Sequence, residues 1–455
     1  MINGKTKVLG LIGDPVEHTL SPVIHNTLSG IYEGGESAVY VPFPVKRGDV
    51  ETALKGAFSL GIQGLNVTVP HKSAVIPFLE DIDPMAKAIG AVNTLVRGDK
   101  GYVGYNTDAT GFIRALKAFG KPVKGKTAAV LGAGGASRAV VFALSSMGVS
   151  EIHIFNRTPE RAAELAASLS EYAKDCRVYS GTYDEISTLY DREFFAVQCT
   201  SVGLAPDIEG CVIDDGGFFA NVLWGMDIVY KPAKTQFMKR MEAAGKPACN
   251  GLSMLLYQAV DAYEKFMGTT VSELLALKAG ARLQLCAGVA DPIVLIGCMG
   301  SGKTSVSNCL KKLGFEVLDA DAEIERRSGM TINRIFEEQG EKAFRDMETE
   351  LLKELSGKAE NGFVLSAGGG MPVREENREL LKKIGKTVYL RAGVSTLCRR
   401  LEGDTTRPLL AGGGLKAKIE GILSDREAIY LQSAHEVIDT DDMTAEEIAV
   451  RILSF

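Results

Sequence analysis

The chain has 455 residues, of which 45% are hydrophobic and 24% charged, with 50 glycines and a formal net charge of -6. That length exceeds what one core usually holds, and the balance of residues is that of a folded α/β protein rather than a disordered or fibrous one. A net negative charge offers no general field for nucleic acid, so any anionic ligand must be held by local cations.

Other classes are excluded residue by residue. The eight cysteines, at 176, 199, 211, 249, 286, 298, 309 and 398, include no C-x-x-C pair and read as buried thiols of a reducing compartment. The five histidines show no H-E-x-x-H or related spacing, so no transition-metal site built from protein ligands is expected. The apolar run within Met1 to Gly13 is too short for a signal peptide, and no run reaches the ~18 apolar residues of a membrane span. The expectation is a cytoplasmic protein with no membrane partner.

From Val8 onward, short β-branched runs alternate with amphipathic stretches, as in Val39 to Pro44, Asp49 to Leu60 and Leu65 to Val69. This is the rhythm of βα units and a mostly parallel sheet, and it predicts an N-terminal α/β domain over residues 1–120. Lys121 to Lys126 is a charged connector containing Pro and Gly. Beyond it, a strand Thr127 to Leu131, a turn Gly132-Ala133-Gly134-Gly135, a helix Ala136 to Met147 and a strand Glu151 to Phe155 form a βαβ unit of about the ~30 residues that dinucleotide binding requires. A Rossmann domain over 121–249 follows from it.

The turn departs from G-x-G-x-x-G at its last position, where Ser137 stands. A helix beginning at Gly135 and Ala136 presents N–H groups and a positive dipole end to a pyrophosphate; the alternative is a glycine turn that merely joins strand to helix. An NAD site usually places a carboxylate at the end of the second strand to accept from the ribose hydroxyl. Here the residues are Asn156-Arg157-Thr158, with Arg161 close behind. Guanidinium groups suit a 2′-phosphate through charged hydrogen bonds worth roughly 1.5–3 kcal/mol, so NADP(H) is the expected cofactor.

Helical patterning over 250–285 is predicted to pack back on the N-terminal domain. Residues 286–291 read as a linker, and 292–455 has the size of one P-loop domain with a parallel sheet. Its first strand, Pro292 to Ile296, runs into Gly297-Cys298-Met299-Gly300-Ser301-Gly302-Lys303-Thr304, which fits G-x-x-x-x-G-K-[ST]. In that motif the backbone of Gly300, Ser301 and Gly302 wraps nucleotide phosphates, Lys303 neutralises them and Thr304 reaches Mg²⁺. Phosphoryl transfer from ATP is the chemistry expected.

Residues 1 to about 285 resemble shikimate dehydrogenase. The matching strings are Gly13-Asp14-Pro15, His18-Thr19-Leu20-Ser21-Pro22, Asn66-Val67-Thr68-Val69-Pro70-His71-Lys72, Ala91-Val92-Asn93-Thr94 and Asn106-Thr107-Asp108. They continue with Asn156-Arg157-Thr158, Thr200-Ser201-Val202-Gly203, Asp227-Ile228-Val229-Tyr230 and Gln258-Ala259. The resemblance implies that Lys72 and Asp108 form the proton-donating pair for a ketone that accepts hydride. It assigns Thr19, Ser21, Asn66, Thr68, Asn93, Tyr230 and Gln258 to a polyhydroxy acid, a ligand that needs many neutral donors and acceptors. The family often has serine where Thr19 stands, so the choice between shikimate and quinate stays open.

From Pro292 onward the chain resembles shikimate kinase through Asp319-Ala320-Asp321, Phe344-Arg345-Asp346-Met347-Glu348, Gly368-Gly369-Gly370, Arg407-Pro408-Leu409-Leu410, and Asp425-Arg426 ahead of Tyr430. The resemblance implies that Asp319 supports Mg²⁺, Asp321 accepts from the reacting hydroxyl, Arg345 and Arg426 bind the shikimate carboxylate, and Gly369 and Gly370 lie beside the ring. Arg400 would stack near adenine and Arg407 would sit in a mobile lid. Together the two resemblances imply one chain that reduces 3-dehydroshikimate to shikimate with NADPH and phosphorylates it to shikimate 3-phosphate with ATP. The alternatives are a quinate/shikimate dehydrogenase joined to the kinase, or a half reduced to a non-catalytic nucleotide-sensing module.

Overall fold

The computed structural model describes residues 2–31, 37–169, 172, 175–402 and 414–453. The chain divides into two compact units between Ala287 and Gly288.

The first unit holds two sheets. One contains β1 (Lys7–Gly13), β2 (Ala38–Pro44), β3 (Gly64–Val67), β4 (Asp81–Ile82), β5 (Thr94–Arg97) and β6 (Tyr102–Tyr105), in the order β2-β1-β3-β5-β6-β4. Pairings of β1 with β2 and β3 are parallel, but β5 runs antiparallel to both β3 and β6. The sheet is therefore more mixed than the βα rhythm suggests, because Thr94 to Tyr105 returns through a short connection with no room for a crossover helix.

The second sheet contains β7 (Thr127–Leu131), β8 (Glu151–Phe155), β9 (Arg177–Gly181), β10 (Phe194–Gln198), β11 (Val222–Asp227) and β12 (Ala248–Cys249), all parallel, in the order β12-β11-β10-β7-β8-β9. Counted from β7, that is the doubly wound order 3-2-1-4-5-6 of dinucleotide-binding sheets. Every residue of β7 and β10 is buried, as continuous apolar strands covered on both faces must be. The helices Leu252–Met267 and Glu273–Ala287 then return to pack on the N-terminal helix Ser21–Leu28. The second of these continues to Ala287, so Cys286 and Ala287 are its last residues rather than the start of a linker.

The second unit is built on β13 (Ile293–Ile296), β14 (Glu316–Asp319), β15 (Phe363–Ser366), β16 (Lys386–Arg391) and β17 (Glu436–Asp439), all parallel, in the order β14-β15-β13-β16-β17. The central strand β13 is wholly buried, and Val294, Leu365, Tyr389 and Tyr430 share one core. Among the described residues no helix is long and apolar enough to cross a membrane.

The cysteines correct one expectation. Only Cys199 and Cys298 are buried; Cys286 is exposed and the other five are intermediate, all as free thiols. Cys286 lies in the last turn of a helix whose buried positions are Ala276, Ala279, Gly280, Ala281 and Leu283, so it falls off the packed face.

Candidate active sites

In the first unit, Asp108 enters at the first turn of the helix Thr107–Phe119, where the side chain of Asn106 caps the helix by accepting from Ala109 N at 3.2 Å. A carboxylate there is favoured by the positive end of the helix. Lys72 Nζ donates to Asp108 Oδ2 at 2.6 Å, and the two side chains are only 19% and 9% exposed.

Asn93 binds this pair into a larger set. Its Nδ2 donates to Asp108 Oδ1 at 2.8 Å and to Thr107 Oγ1 at 3.1 Å, while its Oδ1 accepts from Thr107 N at 2.7 Å. Gln258 Oε1 stands 3.5 Å from the same Nδ2. The helices carrying Gln258 and Asp108 cross so closely at Gly111 that a Cβ there would sit 2.6 Å from Gln258 N.

Asn66 donates to Asn93 O and to Thr94 Oγ1, each at 3.2 Å, and accepts from the Tyr40 hydroxyl at 2.8 Å. Thr19 Oγ1 donates to Ser21 Oγ at 3.2 Å. One turn beyond Ser21, His25 stacks on Tyr40 with ring centroids 4.1 Å apart, docking that helix onto the set. Burial drives the His25 imidazole down to about 3, so the ring is neutral at ordinary pH. Thr68 packs its methyl against Gly13, where a Cβ would lie 2.3 Å away. Tyr230 is half-buried on the loop after β11, its phenol pushed up by burial.

The glycine turn opens where β7 ends. Gly132 has φ +112°, and a Cβ on it would lie 2.8 Å from Thr200 Cγ2, so both conformation and space require glycine. Ser137, the departure from the fingerprint, is buried and accepts from Gly134 N at 3.1 Å, bracing the turn from inside. Ala136 follows in the first turn of the helix Gly135–Ser146. A Cβ on Gly135 would lie 4.0 Å from Lys72 Cδ, so this helix N-terminus faces the Lys72–Asp108 pair. The register of Leu131 with Phe155 sets Asn156 and Arg157 beside the turn. Asn156 Nδ2 donates to Thr158 O at 2.8 Å, and Arg157, Thr158 and Arg161 are exposed.

In the second unit a cavity of about 1090 Å³ opens over the P-loop. Gly302, at φ +101°, caps the helix Lys303–Leu313, and Lys303 Nζ donates to Gly297 O at 2.7 Å and Cys298 O at 3.1 Å. Gly300, Ser301 and Thr304 line the same cavity. Arg400 Nη1 reaches the carbonyls of Gly300 and Ser301 at 3.4 and 3.3 Å, and its Nη2 reaches Thr440 O at 2.9 Å.

Across the cavity, Asp319 caps the helix Ala320–Ser328 by accepting from Ala322 N at 3.1 Å while still lining the space. Asp321 Oδ1 lies 2.5 Å from where a Cβ on Gly368 would be. Arg345 is held by Glu348 at 2.8 Å and Glu341 at 3.0 Å, and a Cβ on Gly370 would meet its guanidinium at 2.5 Å. Gly369 O accepts from the Tyr430 hydroxyl at 2.6 Å and from Arg426 Nη1 at 3.3 Å. Arg407 lies outside the described residues.

Glu348 is a part of the second site to which the sequence assigned no role. Glu348 is fully buried in the cavity wall, where desolvation outweighs the Arg345 guanidinium and pushes its carboxyl up to about 7. The signal available was the Arg345-to-Glu348 spacing of three on a helix, which sets both on one face.

The comparisons agree with this division. The shikimate dehydrogenase substrate binding domain family matches residues 11–95, the shikimate / quinate 5-dehydrogenase family residues 114–189, and the shikimate kinase family residues 299–455. A shikimate dehydrogenase (NADP(+)) from Moorella thermoacetica is 41% identical over 268 residues, covering 59% of this chain and 90% of its own length. A crystal structure of a shikimate dehydrogenase in complex with NADP+ is 35% identical with a TM-score of 0.56, covering 62% of this chain and 96% of its own. The shikimate 5-dehydrogenase from Listeria monocytogenes, solved with shikimate and NAD, is 31% identical with a TM-score of 0.55, covering 59% of this chain and 94% of its own.

Proposed function

The chain belongs to the shikimate dehydrogenase family in its first unit and carries a shikimate kinase domain in its second, and from that premise we propose the two consecutive reactions it performs. The first unit reduces 3-dehydroshikimate to shikimate with NADPH. The second phosphorylates the hydroxyl so made, with ATP and Mg²⁺, giving shikimate 3-phosphate. The observation that carries this reading is the 2.6 Å Lys72–Asp108 pair standing before the N-terminus of the glycine-turn helix.

Reduction of a ketone leaves an alkoxide, and a donor beside that oxygen must protonate it. Lys72 is that donor, Asp108 orients its amine, and Asn93 fixes Asp108 in turn. Asn66, Asn93, Gln258, Thr19 and Ser21 supply neutral donors and acceptors for the ring hydroxyls, with Thr68 and Tyr230 beside them. NADPH supplies the hydride when bound. Gly132 to Ala136 offer the N–H groups that suit its pyrophosphate, and exposed Arg157 and Arg161, with Asn156 and Thr158, suit a 2′-phosphate.

In the second unit the P-loop N–H groups and Lys303 suit nucleotide phosphates. Thr304 and Asp319 are the oxygen donors that would hold Mg²⁺, which neutralises phosphate charge when bound. Asp321 accepts the proton of the attacking hydroxyl. Arg345 and Arg426 take the carboxylate with their planar forks, beside Gly369 and Gly370. Arg400 stands on the P-loop side proposed for adenine, and Arg407 is proposed for the lid.

A quinate activity in the first unit is the second reading, kept open by Thr19, whose hydroxyl pairs with Ser21 at a position where the family often has serine. Comparing kcat/KM for the two acids separates them. The deciding experiment supplies 3-dehydroshikimate, NADPH, ATP and Mg²⁺. Shikimate 3-phosphate should accumulate; no NADPH oxidation and no ADP would overturn the proposal. Lys72→Ala should slow hydride transfer by about 10²–10⁴-fold while NADP+ still binds.

A further inference from the structure

Asp227 ends β11 as a fully buried carboxyl group. Three donors converge on it. Thr235 Oγ1 reaches its Oδ2 at 2.7 Å, and Val229 N and Gln198 Nε2 reach its Oδ1 at 2.9 and 3.2 Å. Burial pushes the carboxyl up to about 6, so at neutral pH it is ionised and can only accept, which suits three donors. Retaining such a charge in a dry place is costly, and it persists only where its hydrogen bonds are well made.

These bonds lace together two loops at the C-terminal edge of the sheet, where ligands of doubly wound folds bind. Gln198, also buried, accepts from Thr200 N and donates to Val202 O at 3.1 Å, which fixes the loop after β10. Ala205 N donates to Lys231 O at 3.0 Å, tying that loop to the one carrying Tyr230. Gly251 N donates to Val229 O at 3.2 Å, and a Cβ on Gly251 would lie 2.1 Å from Ile228 O. Gly251 is the cap of the helix Leu252–Met267 that carries Gln258, and Gln258 stands against Asn93 in the Lys72–Asp108 set.

We propose that Asp227 is a positioning residue of the dehydrogenase, setting the Tyr230 loop and the seat of the Gln258 helix so that both address one substrate. The inference rests on the dehydrogenase reading. Asp227 touches no reacting atom; it acts through Val229, Gly251 and Gln198.

The test measures both activities of full-length wild type, Asp227→Asn, Thr235→Val and Thr235→Ser. Asn brings an N–H₂ where an acceptor is needed, and Val removes one donor while keeping the carboxylate. Both should raise the KM for shikimate in the dehydrogenase reaction about tenfold, the size of one charged hydrogen bond lost. The KM for NADP+, and the kinase KM for shikimate in the same chain, should stay within about twofold. Thr235→Ser, which restores the hydroxyl, should return the shikimate KM to the wild-type value. Should Asp227→Asn fail to fold, the Val and Ser pair still decides. A lower melting temperature with unchanged shikimate KM, or an equal rise in the KM of both substrates, overturns the assignment. Wild type that oxidises no NADPH overturns instead the dehydrogenase reading on which it stands.

Discussion

Glu348 shows how a single side chain can escape sequence reasoning. A glutamate three residues beyond Arg345 looks like half of a surface helix pair, yet it is fully buried, with Oε2 on Arg345 and Oε1 unpartnered. The folded acid keeps its proton up to about 7, against an ordinary value of 4.5. Between those values the folded state holds the extra proton, so this contribution to stability is complete at the acid end and is lost as pH rises through neutrality. The stability of the second unit should therefore fall from pH ~5 to ~7 and level off above that, and Glu348→Gln should flatten that slope by on the order of 1 kcal/mol per pH unit. Calorimetry of both proteins across the range checks it; parallel slopes would contradict it. By contrast, the resemblance pairs Lys72 with Asp108, but their contact, and the Asn93 amide that fixes Asp108, come from the fold, because the three residues lie far apart along the chain.

At the scale of elements, β7 and β8 have the boundaries the sequence predicts, because an apolar run between a charged connector and a glycine turn admits little else. The antiparallel β5 and β6 were not legible, since alternation reveals a strand but not the direction of its partner. Ser137 lies between these cases: visible as a departure, but unexplained until its hydroxyl was seen bracing Gly134. Ser137→Ala should loosen the turn and raise the KM for NADP+ by roughly fivefold, one hydrogen bond's worth, with the shikimate KM unchanged. Steady-state kinetics with each substrate varied in turn measures this, and a change in both KM values would argue for general damage.

For the whole molecule, the two-unit division matters most. Each unit closes its own core and carries its own nucleotide loop, so disabling one should spare the other. Lys303→Ala should abolish ADP formation while NADPH oxidation begins at the wild-type rate and then stops at its own equilibrium. In the intact chain, phosphorylation removes shikimate and draws the reduction onward. A loss of reductase rate as large as the loss of kinase rate would show that the units are coupled. The P-loop was readable from a contiguous motif, whereas the sites assembled from distant strands needed the resemblance as a guide.

The two arginines proposed to receive the carboxylate do not wait with loose side chains. Arg345 is braced by Glu341 and Glu348, and Arg426 leans on the same Gly369 carbonyl that Tyr430 holds. Their rotamers are thus restrained by the fold, Arg345 more firmly than Arg426, and part of the roughly 0.5–1.5 kcal/mol of freedom that each would surrender on capturing an acid is given up beforehand. If these arginines take the carboxylate as proposed, a receptor braced in this way would gain affinity without gaining a contact and would reject acids whose carboxylate cannot meet both planes at once.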